Sequence, residues 1–313
     1  AADGAHKRQL ASSLSVRLLE TFGKGGMLHH AQGKWYPGEA LPRWLIGVHW
    51  RKDGDTIWKE PNLLASFTKK YELPDDITSK FLKSLTTYLK CPDDSIIPAY
   101  EDAFYFLWEE RKLPVDIDPK EYNEKDSALR KKLGEVLEQG VGKSVGHVLP
   151  LNKKGNRWIT NPWKFRGTHL FLSPGNSPIG LRLPLESLPK NPEIPSEPTA
   201  EPELFEAKPH LKPYASDLNE RLKNDVINSD KNHPYVRTAI CAEVREDKLF
   251  LFLPPLDSAD DFLDLVASIE ATAKELQVPV ILEGYEPPRD NRLEVLKVTP
   301  DPGVIEVNVH PAN

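Results

Sequence analysis

The feature that most constrains this chain lies in residues 237–309, where apolar residues recur with period two, then with period 3.6, then with period two again. "VRTAICAEVRED" and "KLFLFLP" read as two strands of a hairpin, because short apolar or alternating runs flank a charged turn. Ser258 to Leu276 reads as a helix. Ser258 is its expected N-cap, Asp260 and Asp261 suit the positive end of the helix dipole, and Phe262, Leu265, Val266, Ile269 and Leu276 make an apolar stripe. The strands "VPVILEG", "RLEVLKVT" and "VIEVNVH" follow, and the short link between the last two favours antiparallel pairing. This pattern predicts an α+β fold in which a helix covers one face of an antiparallel sheet.

The first half reads differently. Leu10, Leu14, Leu18 and Leu19 recur at helical spacing before Gly23, Gly25 and Gly26, and further helices are expected over 61–71, 75–90, 99–112 and 120–139. Residues 1–144 are therefore expected to be mainly helical. Short strands are expected over 145–188 ("VGHVLPL", "RWIT", "THLFLS"), and 189–234 is rich in Pro and Glu, as a linker or loop would be. Residues 235–313 then form the α+β part.

Composition excludes some classes. A net charge of -6 argues against a nucleic-acid binder that works by neutralising phosphates. No apolar run approaches the roughly 20 residues of a membrane span. With only Cys91 and Cys241, neither a disulfide framework nor a cysteine zinc motif is available, and a reducing cytoplasm is the expected setting. The opening "AADGAHKRQL" shows neither an initiator Met nor a signal-peptide pattern, so the chain is expected to be a piece of a longer polypeptide.

Three motifs bear on chemistry. "GVGKS" at Gly140–Ser144 is not a P-loop, since Leu137 stands where the first glycine is required. "GKGGMLHHAQGKWYPGE" is a glycine-rich stretch whose His29, His30 and Lys34 suit a phosphate or carboxylate, or which Trp35 and Tyr36 pin as a structural loop. The third is acidic. Strand alternation puts Glu306, Asn308 and His310 on one face, and compatible pairing would gather Glu243, Glu283 and Glu306 beside Lys297. Two carboxylates about 4 Å apart repel by roughly 4 kcal/mol at an effective dielectric of 20, so such a cluster wants a cation, and oxygen ligands favour Mg²⁺. Scattered surface charges, or a hydrolase with paired carboxylates, remain alternatives at this point.

The blocks "GGMLHHAQGKWYPGEALPRW", "RKLPVDIDP", "GHVLPL", "GTHLFLSPGNSPIGLRLPLESLP", "VRTAICAE", "EGYEPPRD" and "KVTPDPGVIEVNVHP" occur in order along the chain. In these it resembles the amidoligase family found in bacterial proteins that carry transglutaminase-like domains. The resemblance implies a glutamine-synthetase-like carboxylate-amine ligase that uses ATP and Mg²⁺ to form an amide or isopeptide bond through an acyl phosphate. It implies Glu306, Glu243 and Glu283 as metal ligands, and His310 and Lys297 as catalytic groups. His29, Lys34, Arg289 and Asn308 become nucleotide or substrate contacts. It further implies peptide or amino-acid carboxylate and amine substrates, a transglutaminase-like domain in the same polypeptide, and a catalytic domain cut short at "VNVHP". A non-catalytic peptide-binding or scaffolding module is the alternative.

Overall fold

A computed structural model describes residues 4–39, 42–112, 127–165, 169–188, 208–223 and 235–309. Among them are helices α1 (Ala5–Phe22), α2 (Ile77–Leu89), α3 (Ala103–Glu110), α4 (Ser127–Gln139), α5 (Tyr214–Arg221) and α6 (Ala259–Leu276). Strands β1 (Met27–Gln32), β2 (Trp44–Arg51), β3 (Ile97–Glu101), β4 (Gly146–Pro150), β5 (Asn152–Lys154) and β6 (Arg157–Ile159) come from the first half. The second half supplies β7 (Leu170–Leu172), β8 (Ala239–Arg245), β9 (Lys248–Leu253), β10 (Val280–Gly284), β11 (Leu293–Asp301) and β12 (Val304–Val309).

One ten-stranded sheet organises the fold in the order β12-β11-β2-β1-β10-β9-β8-β4-β3-β7. The expected antiparallel sheet is in fact mixed. The helix α6 links β9 to β10 as a crossover, which requires those strands to run parallel, and β1 joins β10 in parallel on the other side. Residues 1–144 carry α1 to α4 and also contribute β1, β2 and β3 to this sheet. Where a helix is expected over 61–71 there is a single 3₁₀ turn, Pro61–Leu63, after which Leu64 bridges Val280 and the Ala65 amide donates to the Val280 carbonyl at 2.8 Å. The helix expected from Ala99 begins at Ala103, since residues 97–101 pair with β4 and β7, and Asp102 caps it by accepting from the Tyr105 amide.

The α6 region follows the sequence closely. The Ser258 hydroxyl accepts from the Asp261 amide at 3.1 Å, and Gln277 closes the helix in a left-handed conformation. Its stripe of Phe262, Leu265, Val266 and Ile269 is buried with Phe81, Leu82 and Leu85 of α2 against Leu249, Leu251, Val280 and Leu282 of the sheet. Each such side chain contributes about 1.5–3 kcal/mol on burial, so this face holds most of the fold's stability. The β8–β9 hairpin turns on Glu246 and Asp247, both at positive φ, the backbone of a two-residue type I′ turn. Within the Pro/Glu-rich stretch, residues 208–223 carry α5, whose Tyr214 and Leu218 join the same core. Arg51 anchors that segment by donating to the Leu211 and Lys212 carbonyls.

The opposite face is covered in two patches. Helix α1 packs Ala11 against Trp44, Ile46 and Val298, while Ile179, Leu170 and Trp163 pack near Cys241 and Phe252. Between the patches the described residues leave the sheet open.

Candidate functional site

That opening is a cavity of about 700 Å³, bounded by α1, the ends of β1 and β10, and the segment Asn176–Leu181. Arg8 reaches it from α1, His30 from β1, Arg43 from the start of β2 and Arg245 from the end of β8, with Glu283 and Tyr285 at the end of β10. Gly284 lets the chain leave β10 here. It holds φ at +105°, and a Cβ would come within 2.7 Å of the Leu253 carbonyl oxygen.

Glu243 and Glu283 do lie on one face, the cavity face, as strand alternation requires. A guanidinium occupies the place expected for a cation. Arg245 Nη2 donates to Glu283 Oε2 at 2.5 Å, its Nε lies 3.6 Å from Glu243 Oε2, and its plane sits 3.9 Å over the Phe250 ring. Burial pushes the Glu243 carboxyl above its ordinary value, with Arg245 opposing and Glu283 adding to the rise. Burial alone would lower Arg245, but Glu283 and Glu243 together hold it above its usual value. Arg43 is fixed by Glu39 at 2.7 Å and Asp301 at 3.0 Å, and stacks 4.1 Å from the Tyr36 ring centroid. His30 is held neutral, first by burial and then by its neighbours Arg8, His29 and Arg245, each of which disfavours a further positive charge.

Glu306 is elsewhere. Val298, Ile46, His30 and Glu283 form one register row across β11, β2, β1 and β10, and the partner of Val298 on β12 is Val307. Glu306, one residue away, therefore points to the other face. It also stands four strands from Glu283, about 19 Å at the usual strand spacing. One Mg²⁺ cannot be held by Glu306, Glu243 and Glu283 together in this arrangement. Among the described residues no group of three His, Cys, Asp or Glu side chains is placed to hold a metal.

The remaining expected residues scatter. His29 is buried on the α6 face, edge-on to Phe262 and His49, and burial lowers its pKa to about 3. Lys297 shares that face and pairs with Glu286 at 2.8 Å, while Asn308 Nδ2 donates to Thr299 Oγ1 on the exposed edge strand. Lys34 and Arg289 are exposed and do not line the cavity. His310 lies outside the described residues.

Sequence reasoning missed Arg8, Arg43 and Arg245. For Arg245 the signal was present: "EVR" places Glu243 and Arg245 two apart on a strand, hence on one face, where a carboxylate and a guanidinium pair. Arg8 and Arg43 meet the cavity only through the long-range packing of α1 and β2.

Fold and site together define a mixed α+β protein whose sheet carries a cavity lined by arginines, with carboxylates and a neutral histidine beside them. The whole chain, residues 1–313, matches the family described as "Putative amidoligase enzyme", and the protein belongs to that family. No curated protein and no solved structure matches it.

Proposed function

We propose that the cavity is the active site of an ATP-dependent carboxylate-amine ligase, which forms an amide or isopeptide bond through an acyl phosphate. The observation that carries the reading is the meeting of Arg8, Arg43 and Arg245 in one cavity of a chain from this family. Guanidinium groups recognise carboxylates and phosphates through charge-assisted, often bidentate hydrogen bonds. A volume near 700 Å³ falls in the range of small-molecule and cofactor sites.

The residues divide the work. Arg43, braced by Glu39 and Asp301, and Arg245, braced by Glu283 and Phe250, are fixed before any ligand arrives. Such preorganised cations stabilise charge that develops on transferred phosphoryl oxygens without a reorganisation cost. The half-exposed Tyr285 offers a ring face to a nucleobase. Because the three-glutamate set does not fit one Mg²⁺, no step here runs through a metal. In the same reading the ligase serves a polypeptide with a transglutaminase-like domain, and its substrates are a peptide or amino-acid carboxylate and an amine.

The test is isothermal titration of wild type and Arg8→Gln with ATP, followed by phosphate release on adding candidate carboxylates. The reading expects wild type to bind ATP and the variant to bind at least tenfold more weakly. A folded wild type that binds no nucleotide would move the assignment to a non-catalytic peptide-binding or scaffolding module.

A further inference from the structure

A second cavity, of about 320 Å³, lies beneath the middle of α1, between that helix, β1, and the segment Leu64–Thr68. It shares just two lining residues with the larger cavity, His30 and Phe67, so these mark the junction. Phe67 is the partition: the His30 ring lies 4.5 Å from its centroid and the Arg8 guanidinium 5.0 Å from it.

The two cavities differ in chemistry. Where the larger one gathers guanidinium groups, the smaller has an apolar floor of Leu28, Leu64, Ile281 and Leu282. Two residues of its walls, Ser12 on α1 and His30 on β1, are 8% and 7% exposed and carry buried polar atoms, Oγ and Nδ1, that have no hydrogen-bond partner among the described residues. Buried polar groups are ordinarily satisfied, and leaving one unpaired costs about 1–3 kcal/mol, so a pair of them beside a cavity marks a place where a ligand's polar group belongs. His30 can only be neutral here, crowded as it is by burial and by Arg8 and Arg245. A neutral imidazole offers one nitrogen as an acceptor.

We propose that the smaller cavity is the subsite for the amine substrate: it takes a primary amine on an apolar stem, and His30 Nδ1 accepts a hydrogen bond from the amine nitrogen at the junction. This rests on the ligase reading, in which the carboxylate is activated in the larger cavity and the nucleophile must reach it from a separate one. The apolar floor holds the stem and the Ser12 hydroxyl offers a second polar contact; of the charged groups around it, Arg17 and, across Phe67, Arg8 disfavour the ammonium ion while Glu20 favours it, and the neutral His30 acceptor takes either form. The nitrogen is thereby placed where the two chambers meet.

The test uses 4-fluorobenzylamine as probe, followed by fluorine NMR, and orthophosphate as the probe of the larger cavity. Val16 lines the smaller cavity from an exposed position on α1, so Val16→Trp fills it without disturbing the core. The proposal expects wild type to bind the amine. Val16→Trp should abolish that binding, and His30→Phe, which keeps the ring and removes the acceptor, should weaken it about tenfold, the usual worth of one hydrogen bond. In wild type labelled with nitrogen-15 histidine, the His30 Nδ1 resonance should move as amine is added. Amine binding that survives Val16→Trp, or a wild type that binds none, overturns the subsite. Unchanged binding in His30→Phe overturns the role of His30. If orthophosphate fails to bind while the amine pattern holds, the ligase reading falls and the amine site stands.

Discussion

The centre of the sheet and its β11–β12 edge carry the same kinds of residue and put them to opposite uses. At the centre, Glu243 and Glu283 are buried and share the guanidinium of Arg245 beside the large cavity. At the edge, Glu306 and Asn308 alternate with Val307 and Val309, all exposed on a strand that, among the described residues, is paired along one side only. Alternation alone cannot tell these apart, because it reports which residues share a face and nothing about what covers that face. Burial decides whether a carboxylate becomes part of a site.

The sharpest way to break this contrast is to remove the central cation. Arg245→Met leaves two carboxylates facing each other without their partner and should lower stability by about 3 kcal/mol in urea unfolding at neutral pH. Adding Glu283→Gln should restore much of that loss, and a loss below about 1 kcal/mol would mean that the triad is not a coupled unit. On the α6 face, Gly47 lies beneath the His49 ring, and a Cβ there would fall 2.4 Å from His49 Nε2. Gly47→Ala should therefore cost about 1–3 kcal/mol, as overpacking does, and a thermal melt would show it.

Acidity offers a finer probe, because two buried carboxylates respond in opposite directions. Glu243 is raised above its ordinary value, so its contribution to stability is complete below that ordinary value and is lost as pH rises through the raised one. Asp290 behaves conversely. Burial alone would raise it, yet hydrogen bonds from Arg292 and Lys208 outweigh burial and hold it well below its ordinary value. Its contribution is complete above the ordinary value and is lost as pH falls toward the lowered one. Urea unfolding across acid to neutral pH, for wild type, Glu243→Gln and Asp290→Asn, should show the two wild-type-minus-variant differences sloping in opposite directions. Parallel slopes would contradict the pairing. Glu306→Gln should be the smallest change of all, within about 0.5 kcal/mol.

Much of the local structure could be read from the chain. The Ser258 cap, the α6 stripe, the β8–β9 hairpin and the β11–β12 pairing all follow from short-range chemistry: a hydroxyl accepting an amide, a 3.6-residue period, and turns of two residues. Strand β1 was hidden because "MLHHAQ" is buried on both sides, His29 against Phe262 and His30 against Phe67, so no polar-apolar alternation marks it. Sheet order was hidden for a different reason. The hairpin β1–β2, some 240 residues earlier in the chain, inserts between β10 and β11, and no local signal reports that. This insertion carries Glu306 away from Glu243 and Glu283, and brings Arg43 and His30 to them. The three arginines of the cavity became visible only once that order was known.

The account turns on the claim that the central cavity, and not the acidic edge strand, receives the substrate's anionic groups. Titrating ATP into wild type, Arg8→Gln and Glu306→Gln under identical conditions tests it most directly. The account predicts binding at least tenfold weaker in Arg8→Gln and unchanged in Glu306→Gln. Loss of binding in Glu306→Gln with Arg8→Gln unaffected would place the nucleotide at the sheet edge and contradict it.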